Sequence, residues 1–110
     1  MKEGIEKILC AAIWYKELPL VIDRIPGELL RPLNCNSGIV FCGHRHPQCL
    51  YQMVVMTGKA QHEAGEEVQG FLTNKNRFVD RKEGAQIALA CGQIEKLNFS
   101  STMLYSEDLY

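Results

Sequence analysis

Gly70 to Ile94, GFLTNKNRFVDRKEGAQIALACGQI, is the stretch that leaves the chain least conformational choice. Apolar Phe71 and Leu72 after Gly70 predict a strand, and Asn74-Lys75-Asn76 predicts the polar turn that ends it. Asp80 stands where an N-cap belongs, with Glu83 three residues on. In that spacing the Asp80 carboxylate accepts the Glu83 amide hydrogen and Glu83 reaches back to the cap's own N–H. Ala85 to Cys91 continue as a helix of small residues, and Gly92 is placed as a left-handed stop. Arg77, Phe78 and Arg81 surround the helix start. Unpaired amides and the helix dipole favour anions there.

A chain of 110 residues predicts a single domain with a real core and little spare surface for a deep private cleft. A net charge of −1 argues against a dedicated binder of long nucleic acid, which would carry a basic excess. No run approaches the roughly 18 apolar residues of a membrane span. MKEGIEKILCAAIWY carries two glutamates ahead of its short apolar run and no small-residue cleavage pattern after it, so no signal peptide is expected. Five irregularly spaced cysteines then suit a reducing, cytosolic compartment.

Along the chain, Ile8 to Tyr15 is a continuous apolar run of the length of a strand buried on both faces, although a helix from Ile5 also fits the pattern. Lys16-Glu17 suggests a hairpin tip with Leu18 to Ile22 returning, Pro19 making that return an edge or irregular strand. Pro32 to Gly38 reads as a loop and Ile39 to Cys42 as a short buried strand. Gly43 to Pro47 breaks it, with Pro47 suited to a helix's first turn. Gln48 to Met56 is the expected helix, with Leu50, Met53, Val54 and Met56 or Thr57 inward and Gly58 as its end. Lys59 to Glu67 is charged, and a strand follows from Val68. The tail from Gln93 to Tyr110 is too apolar to hang free and is expected to pack on its own domain or on a partner. There is no internal repeat. Strands and helices mixed without a βαβ order predict an α+β fold, an antiparallel sheet with two helices.

Several clusters could carry chemistry. Cys42, His44, His46 and Cys49 lie within eight residues and are zinc-type ligands. A second ligand pair is not evident, and His44 and His46 at a strand end would point to opposite sides. The reading preferred over metal is a pocket rim in which Arg45 and His46, just before a helix, hold phosphate. Cys42 or Cys49 paired with a histidine could be a nucleophile, but no orienting Asn or Asp completes a triad. His62, Glu63, Glu66 and Glu67 suggest a magnesium cluster, broken by Gly65, for which a solvated face is the plainer reading. Arg77 and Phe78 offer a guanidinium beside an aromatic platform, suited to a small nucleotide; Phe78 as a hydrophobic staple under its helix is the competing reading. Ser106-Glu107-Asp108 between Tyr105 and Leu109-Tyr110 looks like a docked segment carrying acids.

IVFCGHRHPQC, then GFLTNKNRFVDRKEGAQIALACGQI, then the closing LYSEDLY resemble small phage proteins of the first Thoeris anti-defence type, over roughly Ile39 to Tyr110. The resemblance implies a sponge and not an enzyme. Such proteins bind cyclic ADP-ribose isomers made by bacterial TIR-domain defence proteins, glycocyclic ADP-ribose among them, and sequester the signal without cleaving it. Some also hold cyclic di- or trinucleotides of the CBASS type at separate sites between subunits. It implies a homo-oligomer (dimer or hexamer) with pockets shared between chains, in the cytoplasm of an infected bacterial host, and no cofactor or metal. Carried onto this chain, Arg45 and His46 would meet phosphate or ribose, Phe78 would stack adenine, and Arg77 and Arg81 would neutralise pyrophosphate. Asp80 would cap its helix and meet a ribose hydroxyl; Glu107 and Asp108 would hydrogen-bond sugar or base edges from a neighbouring chain. The alternatives are a nucleotide-processing enzyme built on the acidic or cysteine clusters, and a small protein that blocks a host protein through its apolar tail.

Overall fold

The computed structural model describes residues 4–20 and 26–110. The apolar run forms strand β1, Ile8–Tyr15. It is the hub of an antiparallel sheet ordered β2-β1-β3-β4, with β2 at Ile39–Gly43, β3 at Glu67–Thr73 and β4 at Phe78–Asp80. A run apolar at every position suits this place, since β1 has a strand on each edge and covered surface on each face except at Leu9, beside the register shift, which is 51% exposed. The helices are α1 (Gly27–Leu30), α2 (His46–Thr57), α3 (Arg81–Ala90) and α4 (Ser106–Leu109). The fold is α+β, with α2 and α3 the two long helices.

The period of two along β1 sorts the core into two layers. Ile8, Ala11, Ile13 and Tyr15 join Phe71 and Val79 beneath α2, α3 and the tail, where Cys49, Met53, Ala85, Ala88, Ile94 and Leu104 are buried with them. Each large apolar side chain so buried contributes about 1.5–3 kcal/mol relative to exposure. The opposite face holds a smaller cluster of Ala12, Cys35 and Phe78, flanked by Trp14, Val40, Cys42, Val68 and Leu72. Phe78 meets Trp14 edge-on there, with ring centroids 5.8 Å apart. The loop before β2 covers this layer: Asn34 brackets Phe78, accepting its N–H at 2.8 Å and donating to its carbonyl at 2.6 Å.

Both long helices leave the sheet from one row. Cys42 pairs with Ala12, Ala12 with Gly70, and Gly70 with Asp80, so the ends of β2 and β4 lie in register. Gly70 is required at the centre of that row. A Cβ there would stand 2.0 Å from the Val79 carbonyl oxygen. Gly92 closes α3 with φ +81°, and the Gln93 N–H reaches the Ala88 carbonyl at 3.0 Å while the Gly92 N–H reaches Leu89 at 3.3 Å. That double closure is the Schellman stop the glycine position predicts.

Four local expectations need correction. Leu18 to Leu20 form no return strand, because β1 finds its partners in β2 and β3; Val21 and Ile22 lie outside the described residues. The capping box at α3 is half made. Asp80 accepts the Glu83 N–H at 2.8 Å, but the Glu83 carboxylate turns to Arg77 at 2.8 Å, a charged donor in place of a neutral one. Helix α2 begins at His46 and keeps Met53 inward, whereas Met56 is 76% exposed. The helix alternative for the first apolar run is excluded. The tail does pack: Leu104 and Ser106 are buried, and the Leu104 N–H bonds the Arg81 carbonyl at 2.9 Å.

Candidate functional site

An open cleft of about 370 Å3 lies where the starts of α2 and α3 face the tail, lined by His46, Pro47, Leu50, Tyr51, Gln69, Arg81, Tyr105, Ser106 and Glu107. The row Cys42–Ala12–Gly70–Asp80 sets this up, because it delivers both helix starts to one end of the sheet face. His46 is buried, its Nε2 donating to the Gly70 carbonyl at 2.8 Å and its ring edge-on to Phe71 at 5.2 Å. Burial pushes its pKa below the ordinary histidine value, so the neutral ring with the proton on Nε2 is favoured.

Arg81 is the cleft's cation. It donates from Nη2 to Gln69 Oε1 at 2.6 Å and from Nη1 to the Leu104 carbonyl at 3.0 Å, and it lies 4.4 Å over the Tyr105 ring. Those acceptors are neutral. Burial pushes its pKa down, with Tyr105 and Glu107 opposing the shift. Arg45 stands behind the rim. Its Nη1 is 4.0 Å from Glu107 Oε2, too far for a hydrogen bond, and is buried with no acceptor among the described residues. Its Nη2 donates to the Tyr110 main-chain oxygen, and its plane lies 5.4 Å from the Tyr110 ring. The same tyrosine stacks on His44 at 4.2 Å and donates its hydroxyl to the His44 carbonyl at 2.8 Å. The tail thus docks on the GHRH turn through Tyr110.

The structure therefore gathers His46, Arg81 and Glu107 around one cleft, sets Arg45 behind its rim against Tyr110, and places the other four candidates elsewhere. Arg77 lies at the base of β4, where Nε and Nη2 grip both Glu6 oxygens at 2.8 Å and Nη2 also meets Glu83 at 2.8 Å. The Arg77 guanidinium holds the Glu6 carboxyl down to about 2. Phe78 is 5% exposed in the far layer of the sheet, its ring turned to Trp14 and away from α3. Asp80 is exposed and caps α3. Asp108 accepts from the Asn98 N–H at 2.9 Å and the Tyr105 N–H at 3.0 Å, which fixes the tail's last turn.

Gln69 and Tyr51 join the cleft without having been singled out from sequence, and Tyr105 and Ser106, read there only as part of a docked segment, line it as well. Gln69 carried a legible signal: it shares the inward face of β3 with Phe71 and Thr73, and an amide on an inward position needs a partner. Cys42, His44, His46 and Cys49 do not converge. Cys49 donates to the Ala11 carbonyl, and among the described residues no three histidine, cysteine or acidic side chains gather as metal ligands. The acids near His62 are likewise spread out, with Glu66 paired to Lys16, Glu63 capping Ala60 and Glu67 accepting from Gln61 and Gln69. Among the described residues no helix is long and apolar enough to cross a membrane.

The fold and cleft define a small α+β domain with one arginine, Arg81, facing a cleft where two helices begin. Residues 7–110 match the phage T4 y16D protein family, and the chain belongs to that bacteriophage family. Comparison with curated proteins and with solved structures finds no match.

Proposed function

We propose that this phage protein is an anti-defence sponge that binds a cyclic ADP-ribose isomer of the glycocyclic type and sequesters it without cleavage. One observation carries the reading. The three separated motifs behind the Thoeris anti-defence resemblance each supply a wall of the same cleft: His46-Pro47 from the first, Arg81 from the second, Tyr105-Ser106-Glu107 from the third. Their chemistry suits a nucleotide. Arg81 is hydrogen-bonded only by neutral oxygens, with Glu107 its acidic neighbour across the cleft, and Tyr51 offers an exposed ring. Glu107 and the Nδ1 of neutral His46 are acceptors for ribose hydroxyls.

The cleft is open and at the small end of ligand sites, so a second copy of the chain completes it in this reading. The outer face of α2 is the contact we assign. The helix HPQCLYQMVVMT has no charged residue, and Tyr51, Val55 and Met56 on it are 64%, 80% and 76% exposed. Tyr51 belongs both to the cleft and to the groove along that face, so a chain docked there would wall the cleft. A Cys49 nucleophile is disfavoured by the state of its thiol. Burial pushes Cys49 up to about 11, opposite to the shift a nucleophile needs.

The test is incubation with glycocyclic ADP-ribose, ultrafiltration, then heat denaturation of the retained protein. Ligand depleted from the filtrate and released chemically intact is the expected result. Release of a cleaved product would replace the sponge by an enzyme, and ligand left wholly in the filtrate would overturn the nucleotide reading.

A further inference from the structure

We propose that Glu67 is a positioning residue for the cleft: acting through Gln69, it fixes the Arg81 guanidinium in the pose that leaves its spare N–H groups to a bound anion. The consequence for binding rests on the nucleotide reading of the cleft, whereas the positioning is a property of the chain alone.

Strand β3 supplies the geometry. Glu67, Gln69 and Phe71 alternate onto its helix-bearing face, so the first two side chains are neighbours on one surface. Gln69 donates from Nε2 to Glu67 Oε2 at 3.0 Å and accepts from Arg81 Nη2 at 2.6 Å. A second amide holds the carboxylate, Gln61 in the short turn Gln61–Glu63 donating to both of its oxygens at 3.1 Å. A guanidinium only donates, and an ionised carboxylate only accepts. The Gln69 amide between them therefore has one orientation, oxygen toward Arg81 and nitrogen toward Glu67. Without Glu67 that amide is free to turn, and the hold on Nη2 goes with it.

The amide also keeps an acid at a distance. Arg77 shows what carboxylates in direct contact do, since Glu6 and Glu83 reach it at 2.8 Å and supply its counter-charge. Gln69 passes on the orienting hydrogen bond and withholds the charge. With Nη1 on the Leu104 carbonyl at 3.0 Å and the Tyr105 ring 4.4 Å beneath, the guanidinium is held at three points. Two of its five N–H groups are so engaged. Nε and one hydrogen on each terminal nitrogen have no acceptor among the described residues. A fork fixed in this way loses less freedom on taking a phosphate than a mobile side chain does. Position 69 thus sets the charge of the occupant: an amide keeps the site for an anion, and an acid would close it.

The experiment records nitrogen-15 spectra of the arginine side chains in the full chain without ligand, with Arg81 identified by its loss in Arg81→Lys. Separate signals for the two terminal nitrogens of Arg81 are expected in the wild type, because held N–H groups rotate slowly. Glu67→Ala should merge them while the backbone amide spectrum stays dispersed. Glu67→Gln, which keeps an acceptor, should restore the separation, a rescue that a merely structural role for the acid does not predict. Glu67→Leu answers the same question if the alanine variant folds poorly. Separate Arg81 signals surviving the loss of the Glu67 acceptor would overturn the proposal. Calorimetry with glycocyclic ADP-ribose then reads the consequence. Folded Gln69→Glu should bind at least about tenfold more weakly, and binding equal to wild type would refute the charge argument. A wild type that binds no ligand sinks the nucleotide reading alone, since the spectra still decide whether Glu67 positions Arg81.

Discussion

Arg77 and Arg81 stand four residues apart on either side of β4, both near the start of α3, and the structure treats them oppositely. Arg77 is met by two carboxylates, Glu6 and Glu83, at 2.8 Å. Arg81 is met by an amide oxygen, a main-chain carbonyl and a tyrosine ring. The first guanidinium has its counter-charge supplied from within and serves the fold, tying Glu6 at the chain's beginning to the helix start. The second is hydrogen-bonded by neutral groups and has no acid in direct contact, Glu107 acting on it only from across the cleft. A helix start and an arginine do not make an anion site together; a site also needs the counter-charge to be missing.

The sharpest way to break this contrast is to damage what both regions share. Gly70 pairs with the Asp80 cap through the sheet and accepts from His46 in the cleft. Gly70→Ala forces a Cβ against the Val79 carbonyl and should cost roughly 3 kcal/mol or more of stability, read by urea denaturation. It should weaken both arginine sites at once. Arg81→Gln should separate them. Glycocyclic ADP-ribose affinity by calorimetry is expected to fall by about 2–3 kcal/mol, with a smaller loss of stability, about 1 kcal/mol, as the Leu104 carbonyl and Gln69 lose their donor. Arg77→Gln should do the reverse, costing about 1–2 kcal/mol of stability through the orphaned Glu6 and leaving affinity within about threefold. Equal losses of affinity in the two variants would erase the distinction.

The α3 region was the legible one. Its strand, turn, cap and stop each follow from a residue type with one conformational use, Asp80 at the cap and Gly92 at the stop above all. Helix α2 and the docked tail were also readable from Pro47, Gly58 and the apolar count after Gln93. What sequence could not provide was which arginine is neutralised, because the deciding partner of Arg77 is Glu6, seventy-one residues away. The same distance hid the cleft. Gln69, Arg81 and Tyr105 meet only because β3, α3 and the tail stack, and no local pattern reports that stacking. Phe78 shows the limit of reading by motif. Beside an arginine at a helix start it looks like a stacking platform, yet strand alternation sends it to the far layer with Trp14.

The smallest effect separates the regions by acid alone. In the cleft, His46 folds with its pKa below the ordinary 6.5, so the unfolded chain binds the proton more tightly. Its contribution is present above about 6.5 and is lost as pH falls below that value. At the α3 base, Glu6 folds with a pKa of about 2 against an ordinary 4.5. The stability from its pairing with Arg77 is full above 4.5 and disappears as pH falls toward 2. Denaturation midpoints measured from neutral pH downward should therefore fall in two stages, the first belonging to the cleft and the second to the arginine clamp. Glu6→Gln should lower the plateau at neutral pH and flatten the second stage without touching the first. If Glu6→Gln instead removes the loss near pH 6.5, the two regions are one coupled electrostatic unit and the contrast between Arg77 and Arg81 fails.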